Sequence, residues 1–199
     1  MSVYTFIPSP DLSTKEETFA TWENGFSEDQ ITQIIRIGES LIPAPATVGG
    51  QKQGDDISKI RKSSTSWIKH DNETGWIYDS MAYILRQING QFFDFNLFGF
   101  AEDFQYTLYT SNNDHYTWHV DKGMGSVSPR KLSMVLQLSD PDEYEGGDLE
   151  FFIGTTPTVA KKKKGLIYVF PSWTLHRVTP VTAGTRRTLV IWATGPKFR

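Results

Sequence analysis

The chain has no cysteine. That excludes disulfide bridges, thiolate metal sites and a cysteine nucleophile, and it suits a reducing cytoplasm, the expected location. No apolar run approaches the ~20 residues of a membrane span, so no membrane partner is expected. Met1 to Asp11 lacks a basic segment followed by an apolar one, and no secretory signal is expected. Charge of either sign is not in excess: 20 Lys plus Arg stand against 23 Asp plus Glu, a net of −3. Such a balance gives no general drive toward nucleic acid. Histidine is scarce, with His70, His115, His119 and His176 the full set of four.

What is present belongs to a globular protein: 38% hydrophobic and 14% aromatic residues in a chain of 199, long enough for one domain with a sizeable core. Residues 1–22 read as an extended arm. Ser27 and Gln30 form a capping-box pattern ahead of Ile31, Ile34, Ile35, Gly38, Leu41 and Ile42, which recur at helical spacing until Pro43 and Pro45. Residues 46–60 are rich in Gly, Gln and Asp and suggest a loop able to act as a lid. Arg61 to Ile68 is a weakly alternating first strand. A second helix is expected from about Trp76 to Gln91, with Ile77, Met81, Ile84, Leu85 and Ile88 on its apolar face. After Asn96 the period changes to short strands at 104–109, through His119, and at 131–138, 148–153, 165–170 and 186–193. The expected fold is mainly β with N-terminal supporting helices. It forms one domain, 1–199, with arm and helical support in 1–95 and the core in 96–199.

One stretch organises the chemistry. Tyr116-Thr117-Trp118-His119-Val120-Asp121 is rich in aromatic and β-branched residues and reads as a strand, so His119 and Asp121 project together. His176 follows a strand through a proline-containing turn. Two histidines and a carboxylate can occupy one face of an octahedral ion and leave the other positions open. His115 is the rival third ligand. Its spacing to His119 suits a helix, but four residues of strand span ~13 Å, so His176 is preferred. Arg186, ten residues after His176, shares a strand face with Thr188, Val190 and Trp192, while Arg187 faces the other way. A buried arginine needs an anion, either an internal carboxylate or an external one. The run Lys161 to Lys164 reads as an anion contact or as a solvated hairpin turn. The turn is preferred, because no aromatics interleave it and no second basic patch accompanies it.

These motifs, taken in order, resemble the Fe(II)- and 2-oxoglutarate-dependent dioxygenases, in particular the prolyl 4-hydroxylase-like branch. The matching features are His119-Val120-Asp121, Gly146-Gly147-Asp148-Leu149, Gly165 to Pro171, His176 and Gly184 with Arg186 and Trp192, over roughly residues 100–195. The resemblance implies a double-stranded β-helix, or jelly roll. It implies His119, Asp121 and His176 as catalytic iron ligands. Arg186 would clamp the distal carboxylate of 2-oxoglutarate, with Tyr109, Thr188 and Gln137 around the cosubstrate. Gln137 stands where some relatives carry a tyrosine. Fe(II), 2-oxoglutarate and O2 are the implied cofactor and cosubstrates, with ascorbate as a further candidate. The implied reaction hydroxylates an unactivated C–H, with decarboxylation of 2-oxoglutarate to succinate and CO2. Peptidyl proline is the first substrate expected; a free amino acid or small metabolite is the alternative, and a non-catalytic cupin-like metal module is a third reading. Tyr116, Trp118 and Trp173 flank the ligands as candidate substrate wall.

Overall fold

The computed structural model describes residues 17–48 and 55–197. The helices are α1 (Glu28–Ser40), α2 (Asp55–Ile60) and α3 (Gly75–Ile88). The strands are β1 (Ala20–Trp22), β2 (Ala44–Pro45), β3 (Arg61–Lys62), β4 (Ser64–Ile68), β5 (Gly99–Phe100), β6 (Phe104–Thr110) and β7 (His115–His119). They continue with β8 (Arg130–Gln137), β9 (Tyr144–Gly146), β10 (Leu149–Ile153), β11 (Thr156–Val159), β12 (Ile167–Pro171), β13 (His176–Val178) and β14 (Val181–Thr194). Among the described residues one sheet has nine strands, along the order β1-β12-β8-β14-β6-β4-β2 with β5 and β9 also on β14. The other has five, in the order β11-β10-β13-β7-β3. The two sheets form the jelly roll, and the pairings between strands are antiparallel.

Alternation along the central strands separates two cores. On β8 Leu132, Met134 and Leu136, and on β14 Leu189, Ile191 and Ala193, face the helices and pack with Ile31, Ile34, Ile77, Met81 and Ile84. On the opposite face Val135 of β8 and Tyr168 and Phe170 of β12 meet Leu149 and Phe151 of β10 between the sheets. Each large apolar side chain buried this way contributes ~1.5–3 kcal/mol.

The expected capping box is present: Ser27 Oγ accepts from the Gln30 amide and Gln30 Oε1 accepts from the Ser27 amide. Gly38 explains itself at this interface, because a Cβ there would sit 2.4 Å from the Tyr106 ring. The helix expected from about Trp76 to Gln91 is α3, which ends at Ile88 and continues as a π turn, Asn89–Phe93.

The N-terminal part is less purely helical than its pattern suggested. β1, β2 and β4 join the nine-stranded sheet and β3 joins the five-stranded one. The strand expected from Arg61 to Ile68 is present, divided at Ser63 into β3 and β4, whereas β1 and β2 have three and two residues, too short for alternation to register. The segment expected as a loop, 46–60, lies partly outside the described residues; its end is α2. Most of the expected arm, 1–16, also lies outside them. The strand β11 was hidden by Pro157, which disfavours a strand except at an edge, and β11 is an edge.

Three of the four lysines act as a strap. Lys162 pairs with Asp148 at 3.1 Å, Lys163 with Glu23, and Lys164 with Glu28 at 3.0 Å and Asp140 at 3.4 Å. Three ammonium groups are thereby engaged by the protein's own carboxylates, which favours the structural reading over the anion contact. Exposed pairs of this kind each contribute ~0–1 kcal/mol.

Candidate metal centre and its cavity

His119 ends β7 and His176 begins β13, and the two are directly opposed in the antiparallel pair. Asp121 lies two residues past His119, and its amide donates to the Ser172 carbonyl at 2.9 Å. Ligand atoms of the three residues lie within 4.8 Å of one another. His119 Nε2 is 3.7 Å from Asp121 Oδ1, and His176 Nε2 is 3.7 Å from Oδ2. That is beyond hydrogen-bond reach. It is inside the span of two bonds of ~2.0–2.2 Å to a shared ion.

The donor chemistry also suits a metal. His119 Nδ1 sits 2.7 Å from the Thr117 carbonyl, and His176 Nδ1 sits 2.8 Å from the Thr174 carbonyl. A carbonyl only accepts, so Nδ1 carries the proton in each ring and Nε2 presents a lone pair toward Asp121. Burial pushes the His119 imidazole well below its ordinary value, and the neighbouring His176 adds to the effect. Burial opposes ionisation of Asp121, but His176, His119 and Ser133 outweigh it and hold the carboxyl below its usual range. Neutral imidazoles beside an ionised carboxylate are the ligating forms.

The residues around Asp121 carry no motif signal. Ser133 Oγ donates to Asp121 Oδ2 at 2.7 Å and lies 3.0 Å from Ser172 Oγ. Arg130 donates to the Asp121 carbonyl at 3.1 Å, is tied to Glu102 by Nε at 2.7 Å, and covers the Trp192 ring at 3.7 Å. Each contact joins side chains on separate strands or loops, so only the fold reveals it.

The three ligands line a cavity of about 320 Å³, within the range that takes a small molecule. Arg186, Thr188, Val190 and Trp192 all line it, as the alternation along β14 predicts. Arg186 is 2% exposed, and its guanidinium lies 5.3 Å from the centre of the Tyr109 ring. No carboxylate among the described residues pairs with it. Thr188 Oγ1 is buried without a hydrogen-bond partner among the described residues. An unpaired cation and an unpaired hydroxyl on one wall fit an anionic, acceptor-rich ligand. The glycine pair contributes space: Gly147 has φ +62°, and a Cβ there would lie 3.0 Å from Arg186 Cδ.

The other expected site residues divide. Tyr109 and Tyr116 line the cavity. Tyr116 stacks on His119 with ring centres 3.4 Å apart and planes at 14°. A bulge allows this, because β13 pairs His176 with His119 but Val178 with Tyr116, inserting one extra residue in β7. Burial pushes the Tyr116 hydroxyl up to about 12. Trp118 does not line the cavity; it meets Phe152 edge-on at 5.5 Å and carries Arg177 over its ring. Trp173 packs against Phe95 at 5.4 Å, also away from the cavity wall. Gln137 stands opposite Thr188 in the sheet, but its Nε2 donates to the Lys161 carbonyl at 2.8 Å and it is not a wall residue. His115 stays apart from the cluster, between the carbonyls of Asn113 and Lys59. Arg61, which no motif marked, lines the cavity beside Tyr116.

Residues 104–194 match the family model of the 2OG-Fe(II) oxygenase superfamily. A PKHD-type hydroxylase of Prochlorococcus marinus is 41% identical over 83 residues, 42% of this chain and 38% of the relative. One of Teredinibacter turnerae is 41% identical over 87 residues, 41% of this chain and 38% of the relative. The chain thus spans about two-fifths of the length of the curated relatives it matches. Among solved structures, a Pseudomonas putida prolyl-4-hydroxylase aligns over 94% of this chain and 96% of its own, with TM-score 0.72 and 21% identity. A Trichoplax adhaerens prolyl hydroxylase, in complex with a hypoxia inducible factor oxygen degradation domain peptide fragment, aligns over 92% and 85%, with TM-score 0.75 and 16% identity. The resemblance stated from the motifs and the jelly-roll fold it implied are both borne out, the family match being confined to residues 104–194.

Proposed function

We propose that this chain, whose residues 104–194 carry the 2OG-Fe(II) oxygenase pattern, is a 2-oxoglutarate-dependent hydroxylase of an unactivated C–H. The observation that carries the reading is the convergence of His119, Asp121 and His176 in a cavity that also holds Arg186, which no carboxylate among the described residues pairs with. A cupin-like binding module would need the three ligands but not the buried cation. Peptidyl proline is the proposed substrate, supported by the likeness to prolyl hydroxylases; O2 as cosubstrate, ascorbate as reductant and a cytoplasmic setting belong to the same proposal.

Fe(II) bound here would supply the O2 chemistry that couples decarboxylation of 2-oxoglutarate to hydroxylation. The chain's own residues do the rest. His119 and His176 bind through Nε2 with their rings aimed by backbone carbonyls, and Asp121 is held by Ser133. Arg186 and Thr188 take the distal carboxylate, with the Tyr109 ring beside the guanidinium. That binding is remote from the reacting carbon and fixes orientation. Val135, Leu149, Val190 and Trp192 line the cavity with apolar surface that limits water.

Anaerobic protein with Fe(II) and 2-oxoglutarate is expected to show a weak visible charge-transfer band, and His119→Ala is expected to lose succinate formation. Iron bound without the band would remove the cosubstrate assignment. Normal turnover in His119→Ala would remove His119 from the ligand set.

A further inference from the structure

Besides Arg186, the cavity is lined by Arg130, which Glu102 neutralises, and by Arg61, which the proposed cosubstrate does not use. Arg61 is on β3, the edge of the five-stranded sheet, opposite Tyr116 and 7% exposed. Its Nε donates to Ser63 Oγ at 3.1 Å, and one terminal nitrogen donates to Gln105 Oε1 at 2.9 Å. Both partners are neutral. No carboxylate among the described residues pairs with Arg61. A guanidinium has five N–H groups, and these contacts occupy two of them.

Gln105 extends the donor surface. Its Oε1 accepts from Arg61 and from Thr107 Oγ1 at 3.2 Å. Arg61 can only donate, so it settles which end of the amide is oxygen. The Gln105 amino group is then left without a protein partner among the described residues, and Gln105 lines the cavity. Arg61 and Gln105 together offer several N–H donors and net positive charge to a ligand in this cavity.

The position relates this cluster to the metal centre. The Tyr116 ring lies 4.6 Å from the Arg61 guanidinium carbon and stacks on His119 with centres 3.4 Å apart. One side chain thus touches both. Arg186 belongs to the other sheet, with Tyr109 and Thr188. Arg130 also lines the cavity but is paired with Glu102, so two arginines on the wall have no carboxylate partner among the described residues, one from each sheet. A dicarboxylate clamped at Arg186 leaves Arg61 without a counter-anion, and a buried cation without one is costly. At the rim, Trp67 is 41% exposed and Met124 93% exposed, both lining the cavity, which suits an apolar body attached to the anion.

We propose that Arg61, with Gln105, anchors a carboxylate of the molecule to be hydroxylated. The substrate class is a carboxylic acid with an apolar body beside the acid. The carboxylate belongs to a free amino acid or similar acid, or to an acidic residue or C-terminus of a peptide. The inference rests on the proposed hydroxylase reading only in calling that molecule the substrate.

Equilibrium binding tests it without turnover. The protein is loaded with Zn(II) in place of iron and saturated with 2-oxoglutarate, so that Arg186 is filled. Calorimetry or ligand-observed NMR then compares matched pairs: L-proline and L-leucine with their carboxamides, and proline-containing pentapeptides with Glu or Gln at one flank. Wild type is expected to bind the acid of at least one pair about 10-fold or more tightly than the amide. Arg61→Gln is expected to remove that preference, and Arg61→Lys to keep part of it. A preference confined to the free acids assigns the small-molecule source, and one confined to the peptides assigns the peptide source. Equal binding within every pair by wild type overturns the proposal and leaves Arg61 a structural contact. So does an undiminished preference in Arg61→Gln; the wild-type comparison stands even where a variant does not fold. Acid preference together with absent hydroxylation in the iron-loaded protein would sink the hydroxylase reading and leave the anchor standing.

Discussion

Arg186 and Arg187 are neighbours on β14, and they meet opposite worlds. Arg187 turns to the helical side, where its Nε pairs with Glu39 of α1 at 2.8 Å and Glu143 lies 3.6 Å away. Arg186 turns between the sheets, more deeply buried, with no carboxylate among the described residues and an aromatic ring beside it. The same division runs along the strand. Leu189, Ile191 and Ala193 build the core under the helices, while Thr188, Val190 and Trp192 line the cavity. One face is satisfied by the protein itself; the other is left unsatisfied toward a ligand. Polar groups left incomplete in an interior cost stability. Their clustering on one face of one sheet is what separates a site from a core.

Substitutions on alternate residues of β14 can break or sharpen this contrast. The largest effect is expected from Ile191→Ala, which should cost about 2–5 kcal/mol in denaturant unfolding by opening a cavity under the helices. Arg186→Ala should raise the 2-oxoglutarate requirement about 100-fold, near 3 kcal/mol, with little loss of melting temperature. If titration showed the larger 2-oxoglutarate defect in Arg187→Ala instead, the two faces would be assigned the wrong way round. Thr188→Val keeps the shape and removes an unpaired hydroxyl, so it should leave stability equal or higher while weakening 2-oxoglutarate by about 1 kcal/mol. The smallest effect is expected for Arg187→Ala: under about 1 kcal/mol of stability, reduced further by salt, and an unchanged 2-oxoglutarate KM.

Legibility in the sequence follows how local each interaction is. His119 and Asp121 are two residues apart, and His176 and Arg186 stand in short motifs with turns of their own, so the cluster and its cavity wall could be read from the chain. The helices were legible because thirteen and fourteen residues give several turns of apolar repeat. The strands β1 and β2 are too short for any period, and their pairing partners are distant. Ser133, Arg130 and Arg61 were invisible for a related reason. A serine within a strand, or an arginine at its edge, acquires meaning only from a partner brought in by the fold, such as Asp121, Glu102 or Gln105. Trp118 is different. Adjacent strand residues face opposite ways, so its position next to His119 already argued against the cavity, and nearness in the chain was a poor guide.

The two histidine-to-carbonyl contacts carry one more consequence. Each ring is aimed by the carbonyl two residues earlier in its own segment, Thr117 for His119 and Thr174 for His176. Aim is therefore written into a tripeptide, while strand pairing supplies only separation. His115 makes the same contact with Asn113 yet joins no ligand cluster among the described residues. The tripeptide is a reusable module that fixes where an imidazole looks, and the company it keeps decides whether there is anything to see.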